Sequence, residues 1–261
     1  MSSGGLILAG DIRLGFYGSD GAFLGYMQDP INVTELTLTP GEGETRDRVS
    51  RMRDTYGQAL DSVTLPEPWT TTFTTDTISS EILRALFLGL KEEIDVDSGS
   101  ITDEEITARV GTWVPTSKVM FTGLNDVSVT DDADPANTLE EGTDYLVDLR
   151  NGAILALASG AITDGDTIKV SAQYGGIEGF RINGARRESL TVAVLLDGRS
   201  LRDEDEGKII RMIARRISIR PAGGNDIMSD EWFSPQFQGT LLTPQGESQP
   251  FFYEEYTEKA S

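Results

Sequence analysis

Apolar and polar residues alternate with a period of two along much of this chain, and that alternation limits the fold more than any other property. Val33-Thr34-Glu35-Leu36-Thr37-Leu38-Thr39, Ser62-Val63-Thr64-Leu65 and Trp69–Thr75 follow it on a background of β-branched residues, as half-buried antiparallel strands require. The pattern returns at Ser189–Leu196, Met212–Arg220, Gln238–Leu242 and Pro250–Tyr256, between turns bearing Gly, Pro and Asp. These segments predict a mainly β fold, a sandwich or barrel. One helix is expected against that background, from about Ile78 to Lys91, with Ile78, Ile82, Leu83, Leu86 and Leu90 on one stripe. It should pack across a sheet, with Thr77 or Ser79 capping its start and Gly89 marking its C-terminal turn.

The middle of the chain reads as a separate module. Lys118–Phe121, Val127–Thr130, Tyr145–Asp148, Ala153–Ala156 and Thr167–Tyr174 have strand character, with turns at Asn151-Gly152 and Asp164-Gly165. Pro115 and Gly175-Gly176 punctuate its ends, so a discontinuous β-domain, 1–115 and 177–261, is expected to carry an inserted β-module at 116–176. From Asp76 to Glu178 there are 20 acidic and 6 basic residues, a net −14 out of −21 for the chain. Most of the acidity therefore belongs to the helix region and the module, which should sit on the outside.

Composition removes most chemistry. The chain has no histidine and no cysteine, so the usual general base, the commonest metal ligand and the thiolate nucleophile are all missing. Carboxylate chemistry, hard-cation binding or no chemistry remains. Acids outnumber bases 43 to 22, and a polyanion of this size repels nucleic acid and anionic membrane at long range. The start, Leu6-Ile7-Leu8-Ala9 ahead of Asp11 and Arg13, is too short and lacks the positive flank of a signal peptide or anchor.

Site by site, the residues argue against catalysis. Glu93 to Glu104 places carboxylates at alternate positions ahead of Gly99, but the glycine and isoleucine fall out of register for a calcium loop. Asp131-Asp132-Ala133-Asp134 reads as a solvated turn. Gly41-Glu42-Gly43 continues into acids and arginines rather than a strand-to-helix turn, and no Gly-Lys-Ser/Thr occurs. The widely spaced Trp69, Trp113 and Trp232 read as core residues. A carboxylate-dependent hydrolase would need a pocket with one strongly raised carboxyl pKa. No metal and no cofactor are expected, and the chain is not expected to be an enzyme.

One segment resists a structural assignment. Gly41–Gly57 has no clean apolar period and holds Arg46, Arg48, Arg51 and Arg53 within eight residues of an otherwise acidic chain. A loop this long in a compact β-domain is functional or disordered. It can be a solvated loop, or an arm that docks on an acidic neighbour such as another copy of the chain.

The order of these features resembles the major tail tube protein of long-tailed, siphovirus-type bacteriophages. The resemblance rests on Ile31–Pro40 and Leu60–Thr75 joined by a long hairpin loop, then Ile82-Leu83-Arg84-Ala85-Leu86-Phe87-Leu88-Gly89, then the late strands. Glu140–Ile154 and Ile162–Val170 are similar to stretches common in phage tail proteins. The resemblance implies a tail-tube-type β-sandwich or barrel and a homo-oligomer, with hexameric rings stacked into a tube through which DNA passes during ejection without specific binding. It further implies a place in the virion tail after assembly in the host bacterial cytoplasm, and contact with other tail proteins such as the tape measure, terminator and distal tail proteins, with no membrane partner. Ring-forming tubes of bacterial secretion systems share that architecture. In this frame Arg46, Arg48, Arg51 and Arg53 are expected to make inter-ring contacts. The reading from a different class is a surface- or carbohydrate-binding β-protein with the middle module as its adhesive part.

Overall fold

The computed structural model describes residues 7–18, 21–132, 138–201, 208–224 and 226–257. It is mainly β, as the alternation requires. In chain order the elements are β1 (Leu8–Tyr17), β2 (Phe23–Tyr26), β3 (Val33–Thr39), β4 (Glu44–Val49), β5 (Ala59–Leu65), β6 (Thr70–Thr75), α1 (Ser80–Leu86), β7 (Leu90–Val96), β8 (Gly99–Thr107) and β9 (Trp113–Pro115). After a short 3₁₀ turn come β10 (Val127–Asp131), β11 (Tyr145–Asp148), β12 (Ala153–Ala156), β13 (Thr167–Tyr174), β14 (Ile177–Asn183), β15 (Leu190–Ser200), β16 (Lys208–Pro221), β17 (Gln236–Leu241) and β18 (Phe251–Thr257). Among the described residues no helix is long and apolar enough to cross a membrane.

Two compact units form, Met1–Lys91 with Ile182–Ser261, and Glu92–Arg181. The first is built on one sheet in the order β2-β1-β15-β16-β17-β6-β3, with β18 also pairing with β16. Strand β16 is long enough to take β18 along its first half and β17 along its second. The sheet curls back on itself, because Ile31, just ahead of β3, donates its N–H to the carbonyl of Ile12 in β1 at 2.8 Å. Its inner face holds Leu14, Val192, Ile217, Ile219 and Phe237, all at most 2% exposed. Phe73 and Phe237, paired across β6 and β17, stack with ring centroids 5.1 Å apart.

Helix α1 packs on this core through Ile82, Ala85 and Leu86, and Ser79 caps it by accepting the N–H of Ile82. It is seven residues long rather than the expected span to Lys91. The reason lies in its end. Gly89 N–H donates to the Arg84 carbonyl at 3.0 Å and Leu88 N–H to that of Ala85 at 3.3 Å, the Schellman closure, with Leu88 rather than a glycine in the left-handed region at φ 48. Gly89 is needed for a different purpose. A Cβ there would lie 2.4 Å from a methyl of Ile182 and 2.9 Å from the Asn183 carbonyl oxygen, so only glycine lets the chain pass into β7.

The second unit is a small sandwich of two three-stranded sheets, β10-β13-β8 and β11-β12-β9. Val129, Ile168 and Val170 from one sheet and Tyr145, Ile154 and Ala156 from the other share one core. Gly152 turns the β11–β12 hairpin at φ +59, where an added Cβ would strike the Lys118 carbonyl. The unit is wider than 116–176 because β8 pairs with β13 along seven positions and β9 pairs with β12. Glu93 and Asp95 lie in β7 and Asp97 in the turn after it. Lys118–Phe121 is not a strand. Phe121 alone bridges to Tyr174. Strands β7 and β14 pair with each other where the chain enters and leaves the unit.

Candidate interaction surfaces

The segment that lacked an apolar period is an ordered hairpin. Among the described residues strands β4 and β5 pair only with each other, and every residue of both strands is exposed. No buried face was required of β4, which is why no period shows there; the alternation at Ser62–Leu65 falls in β5, whose residues are all exposed rather than half-buried as that alternation predicts. One side carries Glu44, Arg46 and Arg48 opposite Leu65, Val63 and Asp61, and the other carries Thr45 and Asp47 opposite Thr64 and Ser62. The tip is organised by one buried residue, Ser50. Its hydroxyl lies 2.6 Å from that of Thr55 and accepts the N–H of Met52 at 3.2 Å, while its backbone N–H donates to Gln58 and its carbonyl accepts from Gly57. Met52 is 67% and Tyr56 73% exposed around it.

The four arginines divide into two pairs. Arg46 forks onto Glu44 at 3.1 and 3.2 Å, and Arg53 reaches Asp54 at 3.0 Å. Both ion pairs are exposed, hence weak and exchangeable. Arg48 and Arg51 have no ion pair among the described residues.

A second surface was not expected. Between β16 and β17 the loop Ala222–Pro235 exposes Met228 to 94% and Trp232 to 93%, with Ile227 exposed beside them. Trp232 is therefore not a core residue, and Trp113 and Trp69 are also partly open, the latter edge-on to Phe251 at 5.1 Å. The loop is held by its own serines. Ser229 accepts the Glu231 N–H and donates to its carbonyl, and Ser234 donates to the Trp232 carbonyl. It borders an open depression of about 710 Å³ lined by Asp226, Glu231, Trp232, Thr74 and Gln236 among others. The available sequence signal was the flanking Gly223-Gly224 and Pro235 around an acidic stretch, punctuation that marks a long loop rather than a core segment.

A third surface is the outer face of the main sheet. There Thr70, Thr72, Ser218, Gln238 and Thr240 line a shallow depression of about 480 Å³ with Arg220 and Glu188 at its side. It is a field of hydroxyls and amides.

Carboxylates do structural work in the second unit. Asp144 accepts the N–H groups of Glu140 and Ala161, Asp148 the side-chain amide and N–H of Asn151, and Asp166 the hydroxyl and N–H of Thr163. Those donors hold all three carboxyls below their ordinary value. Asp132 is 2.6 Å from Lys169, whose ammonium it holds above the usual lysine value. Ala133 and Asp134 of that acidic run lie outside the described residues. Among the described residues no three carboxylates gather as a metal site would require.

A family model described as "Protein of unknown function UCP028589" matches residues 6–249. The chain belongs to this family. No curated protein matches it. The matched stretch includes the whole second unit and the first unit up to β18, with the β4–β5 hairpin and the Trp232 loop.

Proposed function

We propose that this chain is a structural, non-enzymatic subunit that assembles with its own copies into rings of about sixfold symmetry, stacked into a tube of the phage-tail type. One observation carries the reading: the β4–β5 hairpin, exposed on both faces with Val49, Leu60, Val63 and Leu65 open to water. A two-stranded ribbon is marginal in water unless it packs on something. Identical subunits supply that surface at every step of a stack. Strands β3 and β18 add support, since among the described residues each pairs on one side only, and such edges are normally covered or paired.

DNA transit fits the charge. The second unit carries 18 acids against 5 bases, leaving 25 against 17 in the first. Neither unit has the basic surplus that grips phosphates, and on the hydroxyl and amide face of the main sheet Arg220 shares its depression with Glu188. Tail completion proteins would then be further partners and the virion tail the location.

The adhesive reading has less behind it. Of the aromatics between 116 and 176 that would stack on a sugar, Tyr145 and Phe121 are buried in the core and Tyr174 is half-buried under Lys118, which leaves Trp113 and Phe180 of the wider unit as its exposed rings.

Negative-stain microscopy of the purified chain at high concentration tests the proposal. Rings and tubes are the expected outcome, and a chain that stays monomeric by sedimentation at the same concentration overturns it.

A further inference from the structure

We infer that the depression beside Trp232 is the receptor for the β4–β5 hairpin of a second copy of this chain, with Arg48 and Arg51 meeting Asp226, Asp230 and Glu231. The inference rests on the assembly reading above and specifies the contact that the hairpin makes.

Two surfaces of the first unit are both unusually apolar and oppositely charged. From Arg46 to Arg53 the hairpin has four arginines and one acid, while from Asp226 to Trp232 the loop has three acids and no base. Arg48 and Arg51 have no ion pair among the described residues, and neither have Asp226, Asp230 and Glu231. The apolar residues are matched as well, with Met52 and Tyr56 at the hairpin tip and Met228 and Trp232 at the loop. One surface is a convex, internally bonded tip and the other borders an open depression of about 710 Å³. An indole next to carboxylates is a suitable seat for guanidinium, which stacks on the ring and forks onto the acids.

The two surfaces do not satisfy each other within one chain, since Met52, Tyr56, Met228 and Trp232 are all left open. A phosphate polymer is a poor occupant of the depression because its acids repel it. A second copy supplies the complementary arm, and supplies it in one fixed geometry, because Ser50 has already ordered the tip and little freedom is lost on docking. The contact is head-to-tail, since the hairpin of each copy enters the depression of the next and leaves its own depression free. A heterologous contact of this kind propagates from copy to copy, around a ring or along a stack, rather than closing as a dimer.

Charge reversal tests it directly. Arg48→Glu with Arg51→Glu, and separately Asp230→Lys with Glu231→Lys, are each expected to lower the assembled fraction at least tenfold by sedimentation, because exposed residues change sign without touching the core. All four changes together are expected to restore assembly, since the attraction is rebuilt with its sign exchanged. If either reversed pair assembles like the wild type, or the fourfold variant does no better than the pairs, this contact is overturned while assembly itself stands. If the wild type stays monomeric, the assembly reading and this contact fall together. The absence of cysteine from the chain permits a second measurement. Met52→Cys protein mixed with Met228→Cys protein should give disulfide-linked dimers under mild oxidation, well above the yield from either variant alone, and equal yields overturn the pairing.

Discussion

At the scale of single residues, the fold depends on a few buried side chains and on carboxylates that never leave the surface. Phe237 is fully buried between β16 and β6 and stacks on Phe73, so Phe237→Ala is expected to remove about 3–5 kcal/mol from the first unit, read as a lower midpoint in chemical unfolding. The second unit responds to acid. Asp144, Asp148 and Asp166 have carboxyls held below their ordinary 3.8 by hydrogen bonds that only the native state makes. Their contribution is therefore complete above about pH 5 and is lost as the pH falls through 3.8 towards the lowered values. Melting followed across that range should show the drop, and Asp166→Ala should be less stable than wild type at neutral pH, with the difference shrinking as the pH falls through 3.8 towards the lowered value. A constant difference at every pH would exclude the linkage. The Asn151-Gly152 turn was legible from its dipeptide. Leu88 in the left-handed region was not, because leucine gives no sign of it and Gly89 next door points to the wrong position.

At the scale of elements, what was legible divides by burial. Strands β3, β11, β12 and β13 were readable to the residue, since β3 and β13 alternate against a core and β11 and β12 are short apolar runs on either side of the Asn151-Gly152 turn. Strands β4 and β7 were not, because their residues are largely exposed and charged, and cross-strand pairing alone places them. β1 was missed because Gly10 and Gly15 interrupt its alternation. The hairpin and the Trp232 loop were legible to different degrees: the arginine cluster announced the hairpin, whereas Trp232 looked like a core residue until its loop was placed. The hairpin yields its own test. Ser50→Ala removes the hydroxyl that joins Met52 to Thr55, a loss of about 1–3 kcal/mol confined to the tip. Hydrogen exchange at Met52 and Thr55 should quicken while amides of β6 and β17 keep their protection, and assembly should weaken without a change in subunit melting. A lower melting midpoint would mean that the tip braces the subunit itself.

For the whole molecule, the division into two units determines which piece can be removed. Cutting at 116 and 176 would strand β8 and β9, whose partners β13 and β12 would be gone, exposing Ile106 and leaving two unpaired edges. The chain itself offers a better exit. Strands β7 and β14 pair where the unit begins and ends, and a Cβ built on Gly176 would lie 3.3 Å from the Val96 carbonyl oxygen, so a short Gly/Ser turn can join Val96 to Ile177. The first unit keeps its sheet, its helix, the hairpin and the Trp232 loop in such a variant, because each of these lies wholly within it. Deleting residues 97–176 across that joint is expected to give a folded protein that still forms rings and tubes, with a less acidic charge and a smaller outline in the microscope. Soluble protein that no longer assembles would assign the second unit a part in the contacts between copies, and it would leave the hairpin insufficient to hold the stack by itself.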